Sequence, residues 1–170
     1  MKISDIRGGI GYLRKPVTAY YEVADSEEYN QMITVALRTV DGPGSRSISE
    51  VINSLDPELR TKYHSVLKEN AMRSIDLLSA ASDFMCGIDM EQFDDLKSSV
   101  KILELKELVE FGNQLLAISE ASNDLCDMSE ELKLITDPNI LEYFKAMASI
   151  FLDLARYIFK EILPGKLGFS

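Results

Sequence analysis

Residues Asp56 to Gly87 read DPELRTKYHSVLKENAMRSIDLLSAASDFMCG, and this stretch decides the fold class. Asp56 followed by Pro57 is typical of a helix start, with a capping carboxylate and a proline in the first turn. Gly87 is typical of a helix end. Between them one broad helical face collects the apolar residues Leu59, Tyr63, Val66, Leu67, Ile75, Leu78, Ala81 and Met85. The stretch therefore predicts a long amphipathic helix ending near Cys86.

The same signals divide the rest of the chain into helices, and no segment alternates in the way a strand requires. A first helix ends at Val40 and begins either near Ser26 or, in a longer form, with Pro16 in its first turn. The other predicted helices are a short one from Ser47 to Leu55, a short one from Asp89 through Leu96, a long one from Ser98–Ser99 to about Cys126, and a long one from Asp137–Pro138 to just before Pro164. Gly112, near the middle of its helix, predicts a close approach by another element.

These elements predict an all-α fold: an antiparallel helical bundle of four long and two short helices, forming one domain over residues 1–170. Residues 1–16 are predicted to be a Gly-rich N-terminal arm, residues 17–165 the bundle and residues 166–170 a tail. The arm rests on the three glycines of IRGGIGYLRKP, residues 6–16.

The charge balance argues against nucleic acid as a partner. The chain contains 18 cationic and 28 anionic residues, and the resulting net charge of −10 repels phosphate. Cations are concentrated only at the front, where residues 1–15 hold four against the single anion Asp5. A nucleic-acid adaptor that uses this basic arm is the least favoured alternative.

No membrane partner is expected either, and a cytoplasmic location is predicted. The most apolar stretch, Tyr143–Leu163, contains five charged residues, too many for a segment that crosses a bilayer. Cys86 and Cys126 are expected to be free thiols rather than a disulfide framework. Whether they lie near each other does not follow from the sequence.

The candidate binding residues lie in the glycine-rich stretch. Glycine next to cations can hold an anion through backbone N–H groups, which makes a phosphate site of Gly8, Gly9, Gly11, Arg14 and Lys15. The dinucleotide-binding pattern GxGxxG fails, because Arg14 stands where its third glycine belongs. An arm that packs against the bundle is therefore preferred to a ligand loop.

No catalytic residue, metal site or cofactor is predicted. A dimetal bundle site needs a histidine three residues after a glutamate, but Thr61 precedes the only histidine, His64, at that spacing. Glu104, Glu107 and Glu110 offer the oxygen ligands that Mg²⁺ prefers. Glu107 and Glu110, however, point away from the apolar face of their helix. Enzymatic activity is left uncertain, with the balance against it.

The last helix, Ile140–Leu163, is apolar around most of its circumference and has one narrow polar stripe. Such a helix lies either at the centre of a bundle, the preferred interpretation, or between the core and a second subunit. The expected function is a non-enzymatic scaffold or protein-interaction module, with a homodimer through this helix or another protein as the partner. The main alternative is an all-α enzyme that binds a phosphate-containing small molecule or nucleotide, with Mg²⁺ as an optional requirement.

Overall fold

The computed structural model describes residues 3–40, 48–85 and 92–168, and every secondary-structure element within them is helical. The all-α class predicted from the sequence is therefore confirmed. In chain order the helices are α1 (Ile3–Ala24), α2 (Glu27–Val40), α3 (Ile48–Asn53), α4 (Pro57–Met85), α5 (Gln92–Val100), α6 (Leu105–Leu132) and α7 (Pro138–Tyr157). A π-helical turn, Ile158–Ile162, continues α7 directly into the short helix α8 (Leu163–Lys166). The predicted helix end at Gly87 lies outside the described residues.

Five of these helices have 14 residues or more, one more than predicted. The difference arises because the chain before Val40 forms two helices, α1 and α2, rather than one. Ser26 Oγ accepts a hydrogen bond from the backbone N–H of Tyr29 at 3.2 Å, the arrangement of a helix N-cap. The predicted start near Ser26 is thus confirmed for α2, whereas the alternative start at Pro16 is wrong, since Pro16 lies inside α1.

The predicted Gly-rich arm is wrong, because the chain is helical from Ile3 onward and no boundary exists at residue 16. Apolar residues of α1 recur at three- and four-residue steps, and Ile6, Ile10 and Leu13 are each at most 4% exposed. A glycine inside a helix costs about 1 kcal/mol relative to alanine. Burying a large aliphatic side chain contributes about 1.5–3 kcal/mol. Burial therefore outweighs the poor helix propensity of the three glycines.

Helix α6 begins and ends later than predicted. Glu104 is its N-cap, and Glu104 and Glu107 form a reciprocal capping box that the serines at 98 and 99 do not provide. The helix ends at Leu132, and its C-cap, Lys133, has a left-handed φ of 53°. Ser129 lies within the helix, and its Oγ donates to the carbonyl oxygen of Cys126 at 2.8 Å.

Helix α6 is also the central helix, since it packs against α1, α3, α4 and α7. Phe111, Leu115 and Ile118 on α6 are fully buried. The prediction that the helix Ile140–Leu163 occupies the centre is wrong, because α7 packs mainly on α6 and lies at the periphery. The sequence pattern understates the burial of α6 because several of its buried side chains are small or polar: Gln114, Ser119, Ser122 and Ser129.

Contacts between α4 and α6 fix their relative direction. His64, near the start of α4, contacts Glu131 near the end of α6. Phe84, near the end of α4, packs edge-on against Phe111 near the start of α6. The two helices therefore run in opposite directions.

Helix α1 runs in the same direction as α6. Arg7, near the start of α1, is bonded to Glu107 near the start of α6. Tyr20, near the end of α1, is bonded to Asp124 near the end of α6. Since α4 runs opposite to α6, it also runs opposite to α1.

The last helix approaches α6 closely. Ser119 Oγ donates to the Ala148 carbonyl at 3.0 Å. A Cβ on Gly112 would lie 2.6 Å from the ring of Phe159. Gly112 comes before Ser119 on α6, whereas Phe159 comes after Ala148 in the chain. Helix α6 and the last helix, with its π-helical turn, therefore run in opposite directions. The predicted close approach at Gly112 is confirmed and is made by an aromatic ring.

The glycines of α1 give a test of its packing. A Cβ on Gly9 would collide with the ring of Phe84, whereas a Cβ on Gly11 would meet nothing within 4 Å. The edge-on contact of Phe84 with Phe111 limits how far its ring can move. We expect Gly9→Ala to lower the free energy of unfolding by about 1–3 kcal/mol through overpacking.

Gly11→Ala is the matched control and should raise the free energy of unfolding by about 0.5–1 kcal/mol, because alanine favours the helix. Urea denaturation of both variants measures the difference. Equal stabilisation by the two substitutions would contradict the close packing of α1 on α4.

Candidate interaction surface

All five residues of the predicted anion site lie on α1: Gly8, Gly9, Gly11, Arg14 and Lys15. Only Gly9 is buried, and the other four are exposed. A phosphate loop works because its backbone N–H groups are free to point at the ligand. Inside an α-helix these groups donate to the carbonyl four residues earlier. The anion site stays a prediction, and its backbone has the geometry of a helix surface rather than of a cradle.

Two arginines of α1 bind two glutamates of α6. Arg7 Nε donates to Glu107 Oε1 at 2.8 Å, and Arg14 Nε donates to Glu110 Oε1 at 2.6 Å. These hydrogen bonds lower the pKa of both carboxyl groups. Two of the glutamates considered as Mg²⁺ ligands therefore hold cations of the same chain, and two of the front cations are neutralised.

An open groove of about 610 Å³ runs beside this contact, between α1 and α6. Its lining includes Val17, Val109 and the cations Arg14 and Lys106. Because Arg14 is already bonded to Glu110, an anion in this groove would have to compete with a carboxylate. One of the two cations in the groove is thus already paired within the chain.

A partly buried carboxylate connects α1, α2 and α6. Asp124 Oδ2 accepts hydrogen bonds from Tyr20 OH at 2.7 Å and from Tyr29 OH at 3.1 Å. Tyr20 is 1% exposed and Tyr29 is 8% exposed. Burial raises the pKa of both phenols, and the charge of Asp124 raises it further. Asp124 therefore holds two protonated tyrosines in place.

Further carboxylates surround this cluster. Burial, followed by the charge of Asp124, raises the pKa of both Glu120 and Asp127. Among the residues that the structure describes, no group of three or more histidine, cysteine, aspartate or glutamate side chains is arranged to hold a metal ion.

His64, the only histidine, contacts a carboxylate from another helix. Its Nε2 lies 2.7 Å from Oε1 of Glu131, whose side chain is only 6% exposed. Cys126, the one free cysteine within the described ranges, is partly buried, and burial raises the pKa of its thiol. The separation of Cys126 from Cys86 stays open, because Cys86 lies outside the described residues.

The outer face of α7 is exposed along the helix and has both polar and apolar residues. We define it as the exposed polar stripe Glu142, Lys145, Ser149, Asp153 and Arg156 with the apolar residues on either side. On one side of the stripe Tyr143 is 57% exposed and Ile150 is partly exposed; on the other, Leu141 and Leu152 are partly exposed. Buried residues such as Phe151 and Leu154 lie on the opposite face, against α6.

A second apolar feature adjoins the start of α7. A groove of about 440 Å³ lies between α4, α6 and α7 and includes Ile75, Leu134, Ile140 and Phe144 in its lining. Ile75, Leu134 and Ile140 are 40–46% exposed. Exposed apolar residues therefore lie both at the start of α7 and on its outer face.

Comparison with known proteins gives this chain no relative: no family model, no curated protein and no solved structure matches it. Within residues 3–40, 48–85 and 92–168, no helix combines the length and the apolar character needed to cross a membrane.

Sequence reasoning missed the contacts that join distant residues. Tyr20 and Asp124 are 104 positions apart, and Arg7 and Glu107 are 100 apart. Nothing local to either residue predicts its partner. The one available signal was the cluster of tyrosines within residues 12–29, since a buried phenol needs a hydrogen-bond acceptor.

Proposed function

We propose that this chain is a non-enzymatic interaction module that associates with a second copy of itself through the outer face of α7. The observation that supports the proposal is the peripheral position of an unusually apolar helix. One side of α7 packs on α6, and the other leaves Tyr143 more than half exposed. Association would remove this apolar surface from water, which contributes about 25 cal/mol per Å² buried.

Several of the polar groups considered for chemistry have a partner within the fold, which supports the same proposal. Glu107 is bonded to Arg7, and Asp124 holds two tyrosines. His64 contacts Glu131. These side chains connect helices to one another, so their geometry is explained without a substrate.

Sedimentation velocity over protein concentrations from about 1 to several hundred micromolar, the range in which modest interfaces associate, tests the proposal. We expect a monomer at the low end and a dimer at the high end. The double substitution Tyr143→Ser and Leu152→Ser should weaken the association at least about tenfold, because it removes apolar contact area from both sides of the stripe.

Ile102→Ser is the matched control, since Ile102 is 66% exposed and lies outside α7. It should leave the association unchanged. Circular dichroism confirms that each variant is folded. A wild-type chain that stays monomeric at several hundred micromolar would refute the proposal.

A further inference from the structure

The polar stripe on α7 has a charge order that inverts about its own centre. Along the helix the residues are Glu142, Lys145, Ser149, Asp153 and Arg156, separated by three, four, four and three positions. Ser149 is therefore equidistant from Glu142 and Arg156, and likewise from Lys145 and Asp153. In each of these two pairs the charges are opposite.

This order has a direct consequence for two copies of the helix. If a second α7 runs antiparallel about a two-fold axis through Ser149, Glu142 faces Arg156 of the other copy and Lys145 faces Asp153. Every charged position then meets an opposite charge. If the two helices run parallel in register, every charged position meets its own sign, which is destabilising.

The charged side chains of the stripe are available for such pairing. Glu142, Lys145, Asp153 and Arg156 are all exposed, and none of the four forms an ion pair with another described residue. Lys145 does influence its own chain: burial and the charge of Asp124 raise the pKa of Asp127 on α6, and the charge of Lys145 opposes part of that rise.

The shape of the helix near Ser149 suits close packing. Ser149 and Ala146 are small and exposed, so a second helix can approach the backbone there. The net charge of −10 on each chain opposes association in general. The local charge order is therefore what makes self-association specific.

Resting on the proposed function, we infer that α7 is a self-recognition element that selects a second copy of itself in the antiparallel direction, with Ser149 at the axis. Its specificity comes from two symmetric sets of ion pairs, Glu142 with Arg156 and Lys145 with Asp153. Its affinity comes from the apolar residues beside them.

Charge-swap variants test this arrangement by sedimentation velocity at low salt, where exposed charges are least screened. Glu142→Arg alone places like charges opposite each other at two symmetric positions, and Arg156→Glu alone does the same with anions. Each single variant should self-associate at least about tenfold more weakly than the wild type. The double variant Glu142→Arg with Arg156→Glu should recover wild-type association.

An equimolar mixture of the two single variants is the sharpest measurement. One chain of that heterodimer has arginine at both positions 142 and 156, and the other chain has glutamate at both. Each arginine then faces a glutamate, so the mixture should dimerise more strongly than either variant does alone. Asp76→Arg and Arg73→Glu are matched controls, because both residues are exposed and lie on α4 rather than on α7. They should leave the association of the chain unchanged.

The outcomes separate this inference from the proposed function. If the wild type dimerises through Tyr143 and Leu152 but the charge-swap mixture does not, the antiparallel register is wrong and the interaction surface stands. If the wild type does not dimerise at all, both are wrong.

Discussion

Replacement of Asp124 by alanine should lower the free energy of unfolding by about 3 kcal/mol, because two buried phenols lose their hydrogen-bond acceptor. Asp124 accepts from Tyr20 and Tyr29, and both tyrosines are almost fully buried. An unsatisfied buried donor costs about 1–3 kcal/mol. Relief of repulsion from the nearby carboxylate of Glu120 offsets part of this loss. Urea denaturation at neutral pH measures the change.

Two further variants show whether the hydrogen bonds carry the effect. Asp124→Asn keeps an acceptor oxygen and should cost only about 1 kcal/mol. Asp127→Asn, about one turn further along α6, removes a carboxylate that Asp124 repels and should be neutral or slightly stabilising. Equal and small effects of Asp124→Ala and Asp124→Asn would contradict the role assigned to Asp124.

Stability should also fall steeply at alkaline pH, through the same cluster. Burial and the charge of Asp124 raise the pKa of Tyr20 and Tyr29 above the ordinary value of 10.0. Below pH 10 both phenols are protonated in the folded and the unfolded chain, so their contribution to the free energy of unfolding is fully present. Above pH 10 the unfolded chain loses these protons first. The free energy of unfolding then falls by about 1.4 kcal/mol per pH unit for each tyrosine. The two together cost about 4 kcal/mol at a pH of about 11.5.

The double variant Tyr20→Phe with Tyr29→Phe isolates this effect. It should be less stable than the wild type at neutral pH, because two hydrogen bonds are lost, but its stability should decline less above pH 10. Tyrosinate absorbance provides a second readout, since two phenols of the wild type should ionise only as the chain unfolds. Parallel stability curves for wild type and variant would show that other groups cause the alkaline loss.

The outer face of α7 and the Asp124 cluster have different roles in this molecule. The cluster joins three helices inside one chain, and we propose that the outer face joins two chains. A substitution in the first should change stability, whereas an exposed substitution in the second should change association. Measuring both quantities for each variant therefore separates folding from binding.

The sequence predicted helices correctly wherever the local signals agreed. Asp56–Pro57 and Asp137–Pro138 predicted the starts of α4 and α7 correctly, because an N-cap carboxylate and a first-turn proline act within one turn of chain. Boundaries set by weaker caps shifted, as at Glu104, where a capping box between two glutamates replaced the predicted start at the serines.

The front of the chain shows why local propensity was insufficient. Three glycines indicated a bent arm, yet Ile6, Ile10 and Leu13 are buried in a helix. The deciding energy is the burial of these side chains against α4 and α6, and those partners lie far away in the sequence. The central position went to α6 rather than α7 for the same reason.

The helical class and the polar stripe of α7 could both be predicted from the sequence, because they depend on periodicity and capping within a few turns of chain. The tertiary structure alone decided that α7 is peripheral, that Arg7 and Arg14 hold glutamates, and that two tyrosines share Asp124. Each of these facts depends on the packing of side chains about 100 positions apart or on the competition of whole helices for the core. Local sequence patterns therefore do not predict which helix becomes central.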